Sequence, residues 1–288
     1  MSAPPSYHTS PSFEDLDPDI KNLSIQDQKD LESSSVHSGD STVPPYSTSF
    51  NPSKTFRINA RGVELIHLPI PSKELEIPIY NSDGSLAYTS TREKRSSGNA
   101  ILSAPGRGDL VASNYKFGPM REPTMTMLQG REGVNEVLVS GKWTSRTQRF
   151  SYAAVPINFD WVNRKELVQT SSDPSATMAN EMAEKDGSKS KDKTKKCSLL
   201  VLEVQGKDKD DITRVARLLR DEENRTAGTG YMTAGKGGAL AIDELAAKGL
   251  GIPEELIVAS CIMMLKKELD RRRAAQFAMM AGAASGGS

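Results

Sequence analysis

Residues 252–273 read IPEELIVASCIMMLKKELDRRR, and the central ten residues, 256–265, carry no charged side chain. Only Ser260 and Cys261 are mildly polar there, so a helix over this run leaves no face for water. A helix that is apolar all round is typical of a protein interior, whereas a surface helix has one charged face. Ten residues are too few to span a bilayer, which takes roughly 20. We therefore predict a helix that is enclosed by the rest of the chain.

The charges around this run fit a helix with that direction. Pro253 suits the first helical position, and the acids that follow it lie at the positive end of the helix dipole. Lysines 266 and 267 and arginines 271–273 lie after the apolar run. Arginines 271–273 could direct nuclear import or contact nucleic acid, but a basic helix end is the simpler interpretation. We expect no nucleic-acid partner.

The composition bounds the class of protein. The 288 residues have a formal net charge of zero, but residues 1–50 hold eight acids and two lysines, so the remainder is net positive by six. Two cysteines are too few for a disulfide framework, which indicates an intracellular protein. A basic segment followed by an apolar one is absent from the N-terminal sequence, so we expect neither secretion nor a transmembrane span.

Residues 1–53 are rich in Ser, Pro and Asp and predict a disordered, acidic tail. Within this tail, Pro4, Pro5 and Tyr7 form a P-P-x-Y pattern similar to the ligands of WW domains. Two prolines preset an extended helix, and the tyrosine ring fits an aromatic-lined groove. A chance match in a Pro-rich tail is the alternative interpretation.

From residue 54 the pattern favours a closed antiparallel β-barrel around the C-terminal helix, an α+β fold that is mainly β. Short runs of β-forming residues alternate with Gly, Pro, Asn and Asp. A closed barrel also removes exposed sheet edges. The clearest hairpin turns at residues 81–84, Asn-Ser-Asp-Gly. The predicted strands are 55–58, 63–68, 76–80, 86–91, 99–103, 109–117, 124–129, 134–140, 143–152, 157–162, 198–205 and 239–242.

Two further segments complete the predicted barrel domain, residues 54–273, and a third segment follows it. Residues 170–196 are dense in Ser, Asp and Lys and predict a disordered insertion in a long hairpin; a weak lipid or nucleic-acid contact is the alternative. The apolar spacing at 210–222 predicts a helix lying flat on the barrel. Residues 274–288 predict a frayed end, in which Phe277, Met279 and Met280 extend the helix before Gly282 and the Gly/Ser terminus fray it.

The order of these elements resembles the tubby C-terminal-like superfamily, which includes tubby, scramblase and LURP-one-related proteins. Fungal members are similar at VARLLRDEENRTAGT (215–229), GGALAID (237–243) and LIVASCIMMLKKELDRRRAAQ (256–276). The resemblance implies a twelve-stranded barrel around a hydrophobic helix. In tubby proteins, basic side chains of the barrel bind phosphoinositide head groups, but no motif here places those residues one by one. The calcium segment of the scramblases is not evident.

Residues for catalysis or metal binding do not form a recognisable pattern. The three histidines, His8, His37 and His67, lie in the tail or one early strand, so no His-based triad or zinc cluster can be assembled in the domain. Residues 230–237, GYMTAGKG, come within one residue of a phosphate loop, but Gly237 replaces the magnesium-binding hydroxyl. A flexible glycine loop is the preferred interpretation. We expect no cofactor, no metal and no enzymatic activity.

Two functions remain. The first is a membrane-proximal module that binds anionic, phosphoinositide-like lipid, with Arg92, Lys94 and Arg95 as the candidate patch. The second is an intracellular adaptor whose tail recruits a WW-domain protein, such as a ubiquitin ligase, through Pro4, Pro5 and Tyr7. The two are compatible. Both imply a cytoplasmic protein, and the first adds peripheral attachment to a membrane.

Overall fold

A computed structural model of the chain describes residues 50–64, 74–95, 97–119, 121–129, 135–155, 158–169, 194–206 and 211–285. The tail with Pro4, Pro5 and Tyr7, most of the Lys-rich insertion and all three histidines lie outside the described residues. The strands are β1 (Lys54–Ile58), β2 (Glu76–Asn81), β3 (Leu86–Thr91), β4 (Ala100–Ala104), β5 (Gly108–Asn114), β6 (Thr124–Met127), β7 (Glu136–Ser140), β8 (Gln148–Tyr152), β9 (Asn158–Gln169), β10 (Thr194–Gln205), β11 (Ile212–Leu219) and β12 (Gly238–Ile242). The helices are α1 (Glu244–Gly249) and α2 (Glu254–Ser285).

The twelve strands form a closed antiparallel barrel in which each strand pairs with its neighbour in sequence. Strand β1 closes the ring, because it pairs with β12 on one side and with β2 on the other. The predicted hairpin is confirmed: β2 pairs with β3, and Gly84 adopts a φ of 84° in the turn. Closure gives every strand two neighbours, although residues 163–169 of β9 and 194–199 of β10 extend beyond the ring and pair only with each other.

Helix α2 runs through the barrel, which confirms the prediction of an enclosed helix. Ile257, Met263 and Leu265 expose 0%, 5% and 2% of their surface. They share one core cluster with apolar side chains from the surrounding strands, including Phe56, Leu110, Val137, Phe150, Leu202 and Leu240.

Polar contacts fix the helix at its start and in its middle. Glu254 accepts hydrogen bonds from Lys54 Nζ of β1 (2.7 Å) and from the Tyr88 hydroxyl of β3 (2.6 Å). Ser260, one of the two mildly polar positions in the apolar run, accepts a hydrogen bond from the indole N–H of Trp161 at 2.8 Å. It also donates to the Ile257 carbonyl, which is why a hydroxyl is tolerated there.

The helix predicted over residues 210–222 is wrong, because this segment forms strand β11 between β10 and β12. The pairing register of β11 shifts opposite Leu202 and Glu203 of β10, so Val215 and Ala216 are consecutive yet both fully buried. This bulge breaks the alternation expected of a strand and produces an apolar spacing that matches a helix.

Several predicted boundaries also differ. Of the predicted strand 63–68, Val63 forms an isolated bridge with Ala234, and residues 65–73 lie outside the described part. Strands β9 and β10 are longer than predicted, so residues 194–196 of the predicted insertion belong to β10. Helix α2 continues beyond residue 273, as predicted, but it reaches Ser285 instead of fraying at Gly282, and Ala274, Ala275 and Ala278 are buried.

We predict that Ser260→Ala lowers the free energy of unfolding by about 1–3 kcal/mol, because it leaves the buried Trp161 N–H without an acceptor. Urea unfolding measures the change. Ser140→Ala, at an exposed position of β7, is the matched control and should stay within about 0.5 kcal/mol of wild type. Equal stability of the two variants would contradict a stabilising hydrogen bond between Trp161 and the helix.

Candidate functional site

The strand directions sort the loops into two groups, one at each end of the barrel. Loops that follow odd-numbered strands lie at the end where β1 finishes, and loops that follow even-numbered strands lie where helix α2 begins. We call the end where β1 finishes the basic end. It comprises helix residues 266–276 and the described parts of the loops 59–75, 92–99, 115–123, 141–147 and 220–237. We call the end where α2 begins the acidic end, and it comprises the described parts of 50–53, 82–85, 105–107, 128–135, 153–157, 206–211 and 243–255.

At the basic end, sixteen described cations stand against nine described acids, an excess of seven positive charges. The cations are Arg61, Arg92, Lys94, Arg95, Lys116, Arg121, Lys142, Arg146, Arg220, Arg225, Lys236, Lys266, Lys267, Arg271, Arg272 and Arg273. The acids are Glu64, Glu74, Glu93, Glu122, Asp221, Glu222, Glu223, Glu268 and Asp270.

The acidic end has the opposite sign among its described residues. Its two cations are outnumbered by six acids, namely Asp83, Asp211, Asp243, Glu244, Glu254 and Glu255. Glu254 and Glu255 lie in the first turn of α2, where the helix dipole favours acids, whereas the bases of α2 lie mid-helix and none is in its last turn. The barrel is therefore electrically polarised along the direction of its helix.

The three predicted lipid-binding residues lie in the β3–β4 loop at the basic end, but they do not share one environment. Lys94 and Arg95 are exposed. Arg92 is only 6% exposed, and its Nη2 donates a hydrogen bond to the backbone carbonyl of Glu74. Arg92 therefore faces the barrel interior, and Lys94 and Arg95 alone are available to a surface.

The basic residues of α2 stay inside the mouth of the barrel instead of emerging from it. Lys267, Arg271 and Arg273 are 3%, 9% and 7% exposed. Arg271 donates to the carbonyl of Ser145, and Lys267 Nζ lies 3.4 Å from the carbonyl of Lys142. Because Arg271 and Arg273 are buried, this stretch offers no exposed run of three arginines to an import factor.

Carboxylates from the same helix neutralise part of this charge. Lys266 Nζ donates to both Asp270 oxygens, and Arg220 Nη1 lies 2.5 Å from Glu268. Burial opposes ionisation of Glu268, but the Arg220 guanidinium outweighs it and lowers the pKa of that carboxyl. Glu268 is therefore held in its charged form within the barrel mouth.

Burial disfavours the charged form of the other cations in the barrel mouth. Burial, with the nearby charge of Arg271, lowers the pKa of Lys267 to about 7. Burial likewise lowers the pKa of Arg271 to about 10. Since desolvation penalises the charged form of a base, these values show that Lys267 and Arg271 are poorly solvated in the barrel mouth.

The lysine and the glycines of the loop at residues 230–237, whose sequence is close to a phosphate loop, make contacts within the protein. Lys236 is 4% exposed, and its Nζ donates to the carbonyls of Gly230 (2.9 Å) and Tyr231 (2.7 Å) of the same loop. A side chain on Gly237 would meet the Ile58 carbonyl at 2.0 Å, and one on Gly235 would meet the Leu265 carbonyl at 2.8 Å. The glycines thus let the loop pack between β1 and α2, and strand β12 follows instead of a helix.

Two apolar side chains stand out from this loop. Tyr231 is 67% exposed and Met232 is 52% exposed. Lys236 Nζ lies 5.3 Å from the centroid of the Tyr231 ring, and Arg272 Nη2 lies 3.4 Å from the Met232 carbonyl. The tip of the loop therefore presents an aromatic ring and a thioether surrounded by cations.

Comparisons of the chain with protein families, with curated proteins and with solved structures found no match.

Within the described ranges, no group of three or more His, Cys, Asp and Glu side chains could hold a metal ion. No helix of the described chain is long and apolar enough to cross a bilayer. The class that the structure itself defines is a closed, charge-polarised β-barrel around a helix.

The low pKa of Lys267 makes stability depend on pH. Between about pH 7 and pH 10.5 the unfolded chain protonates this lysine and the folded chain does not, so its contribution to the free energy of unfolding rises with pH. We predict that Lys267→Met flattens this rise, measured by urea unfolding at several pH values from 7 to 10. Lys248→Met, at an exposed lysine, should keep the wild-type slope. Equal slopes for wild type and Lys267→Met would show that the lysine is not desolvated.

Proposed function

We propose that the protein is a non-enzymatic, membrane-proximal module of the tubby-like type that binds anionic, phosphoinositide-like lipid through the basic end of its barrel. The observation that carries the proposal is the separation of charge along the barrel, with an excess of seven positive charges at one end and an excess of acids at the other. A polarised particle orients in the field of an anionic membrane with its basic end toward the lipid.

The exposed cations of this end supply the attraction. Lys94, Arg95, Lys116 and Lys142 are all exposed and come from three different loops. Each basic side chain near an anionic membrane contributes about 1 kcal/mol, and the effect fades within a Debye length, about 8 Å at physiological salt. Several loops at one end of a rigid barrel bring these charges to the lipid together, whereas charges spread over all sides would not.

The apolar loop tip supports the same orientation. Tyr231 and Met232 stand at the basic end, where Tyr231 can place its ring among lipid head groups and keep its hydroxyl in water. Phosphate recognition by cations and shallow insertion of apolar side chains are complementary, since insertion does not depend on salt. The Arg92 proposed from sequence is not part of this surface, because it is buried.

We predict that Lys94→Glu with Arg95→Glu lowers the fraction of protein that floats with vesicles containing phosphoinositide, by about tenfold or more in the partition coefficient at low salt. The estimate follows from about 1 kcal/mol lost for each cation and a further repulsion from each new acid. Lys248→Glu reverses an exposed charge at the acidic end and is the matched control, with binding unchanged.

A second pair of variants separates the apolar contribution in the same assay. Tyr231→Ser with Met232→Ser should reduce the binding that survives high salt, whereas Leu245→Ser, at a side chain 78% exposed at the acidic end, should not. Equal flotation of wild type with neutral and phosphoinositide vesicles at low salt, where phosphate attraction is strongest, would remove the proposal.

The alternative proposal is an intracellular adaptor. It is supported by the P-P-x-Y pattern of Pro4, Pro5 and Tyr7, which precedes a barrel that could serve as a rigid platform. The two functions are compatible, since a lipid-bound barrel would bring a WW-domain protein to a membrane. The tail pattern alone carries this alternative.

We predict that a panel of purified WW domains captures the wild-type protein and loses at least one partner with Tyr7→Ala, because the tyrosine ring fills the aromatic-lined groove. Tyr46→Ala is the control, because it removes a tail tyrosine that is preceded by Val-Pro-Pro. It should leave capture unchanged if binding depends on Pro4, Pro5 and Tyr7. Undiminished capture of Tyr7→Ala across the panel would end the adaptor interpretation.

A further inference from the structure

A small cavity lies between α2 and strands β2 to β5, at the inner side of the basic end. Its volume is about 30 Å³, which is room for roughly two water-sized groups. Most of its wall is hydrocarbon, from side chains such as Ile77, Leu102, Ile262 and Leu269. The polar side chains that line it are the cations Arg92 and Lys266, the carboxylate Glu74 and the hydroxyls of Ser90, Ser113 and Tyr115.

Two guanidinium groups near this cavity have N–H groups without a hydrogen-bond partner in the described part of the chain. Arg92, which is 6% exposed, has such a group at Nη1. Arg273, which is 7% exposed, has them at Nε and Nη2. Buried N–H groups of a charged side chain are costly to leave unpaired, so each of them indicates an acceptor outside the described part of the chain.

The local charges also do not balance. Arg92, Lys266 and Arg273 are close enough to repel one another, and Asp270 and Glu74 are the acids that offset them. Asp270 is engaged with Lys266 and lies 3.5 Å from Arg273 Nη1. Three cations against two carboxylates leave one positive charge in surroundings of low dielectric, where it is poorly solvated.

We propose that this cavity binds one small monovalent anion, of the size of chloride, between Arg92, Lys266 and the Tyr115 hydroxyl. A single negative charge balances the three cations and the two carboxylates, and it accepts a hydrogen bond from Arg92 Nη1, which has no other partner among the described residues. The volume excludes a lipid head group or an acyl chain. The site is therefore distinct from the exposed lipid surface, and neither proposal depends on the other.

Thermal unfolding of the full chain in sodium chloride tests the site, with sodium gluconate holding the ionic strength constant. Gluconate is too large for the cavity. A specific chloride site raises Tm by about 3–5 °C for each tenfold increase in chloride above the dissociation constant. Because the two salts also differ in their general effect on proteins, the measured quantity is the difference in this response between wild type and variants.

Arg92→Met should lose the chloride response, and Lys94→Met, at the exposed position two residues away, should keep it. Should Arg92→Met fail to fold, crystals of the wild type soaked in sodium bromide decide the matter. An anomalous bromide peak between Arg92 and Lys266 supports the site. The proposal is overturned if the bromide-soaked crystals show only water in the cavity. It is also overturned if a folded Arg92→Met variant keeps the chloride response of the wild type.

Discussion

The helix α2 is apolar on every side over its first turns, and this obliges the rest of the chain to surround it. A single sheet covers one face of a helix, and only a closed ring of strands covers all of them. Closure also gives every strand of the barrel two neighbours. The hydrogen bond from Trp161 to Ser260 and the contacts of Glu254 with Lys54 and Tyr88 then fix the depth and rotation of the helix within the ring.

The enclosed helix also contributes to the charge polarity of the molecule. Its first turn carries Glu254 and Glu255 at one end of the barrel, where the helix dipole favours acids, and its mid-helix bases lie at the other end. The loops at each end carry the same sign of charge as the helix residues beside them. Helix and loops together polarise the barrel, and the lipid proposal depends on that polarity.

Burial of charged side chains in the barrel mouth has a cost that the structure offsets unevenly. Glu268 and Arg220, and Asp270 and Lys266, form pairs that satisfy one another. Lys267 donates only a long contact to a carbonyl, and Arg92 and Arg273 keep N–H groups without partners among the described residues. Such incompletely compensated positions mark places where an external ligand can stabilise the fold.

The sequence by itself determined the enclosed helix, the barrel class and the positions of most strands, because these follow from local composition and spacing. It could not determine strand β11, since the bulge at Val215 and Ala216 gives an apolar spacing that depends on the partner strand. The tertiary structure alone decided that Arg92 points inward, that Lys236 binds its own loop, and that loops far apart in sequence share a basic end. These are properties of strand direction and packing in three dimensions, and no local pattern of residues encodes them.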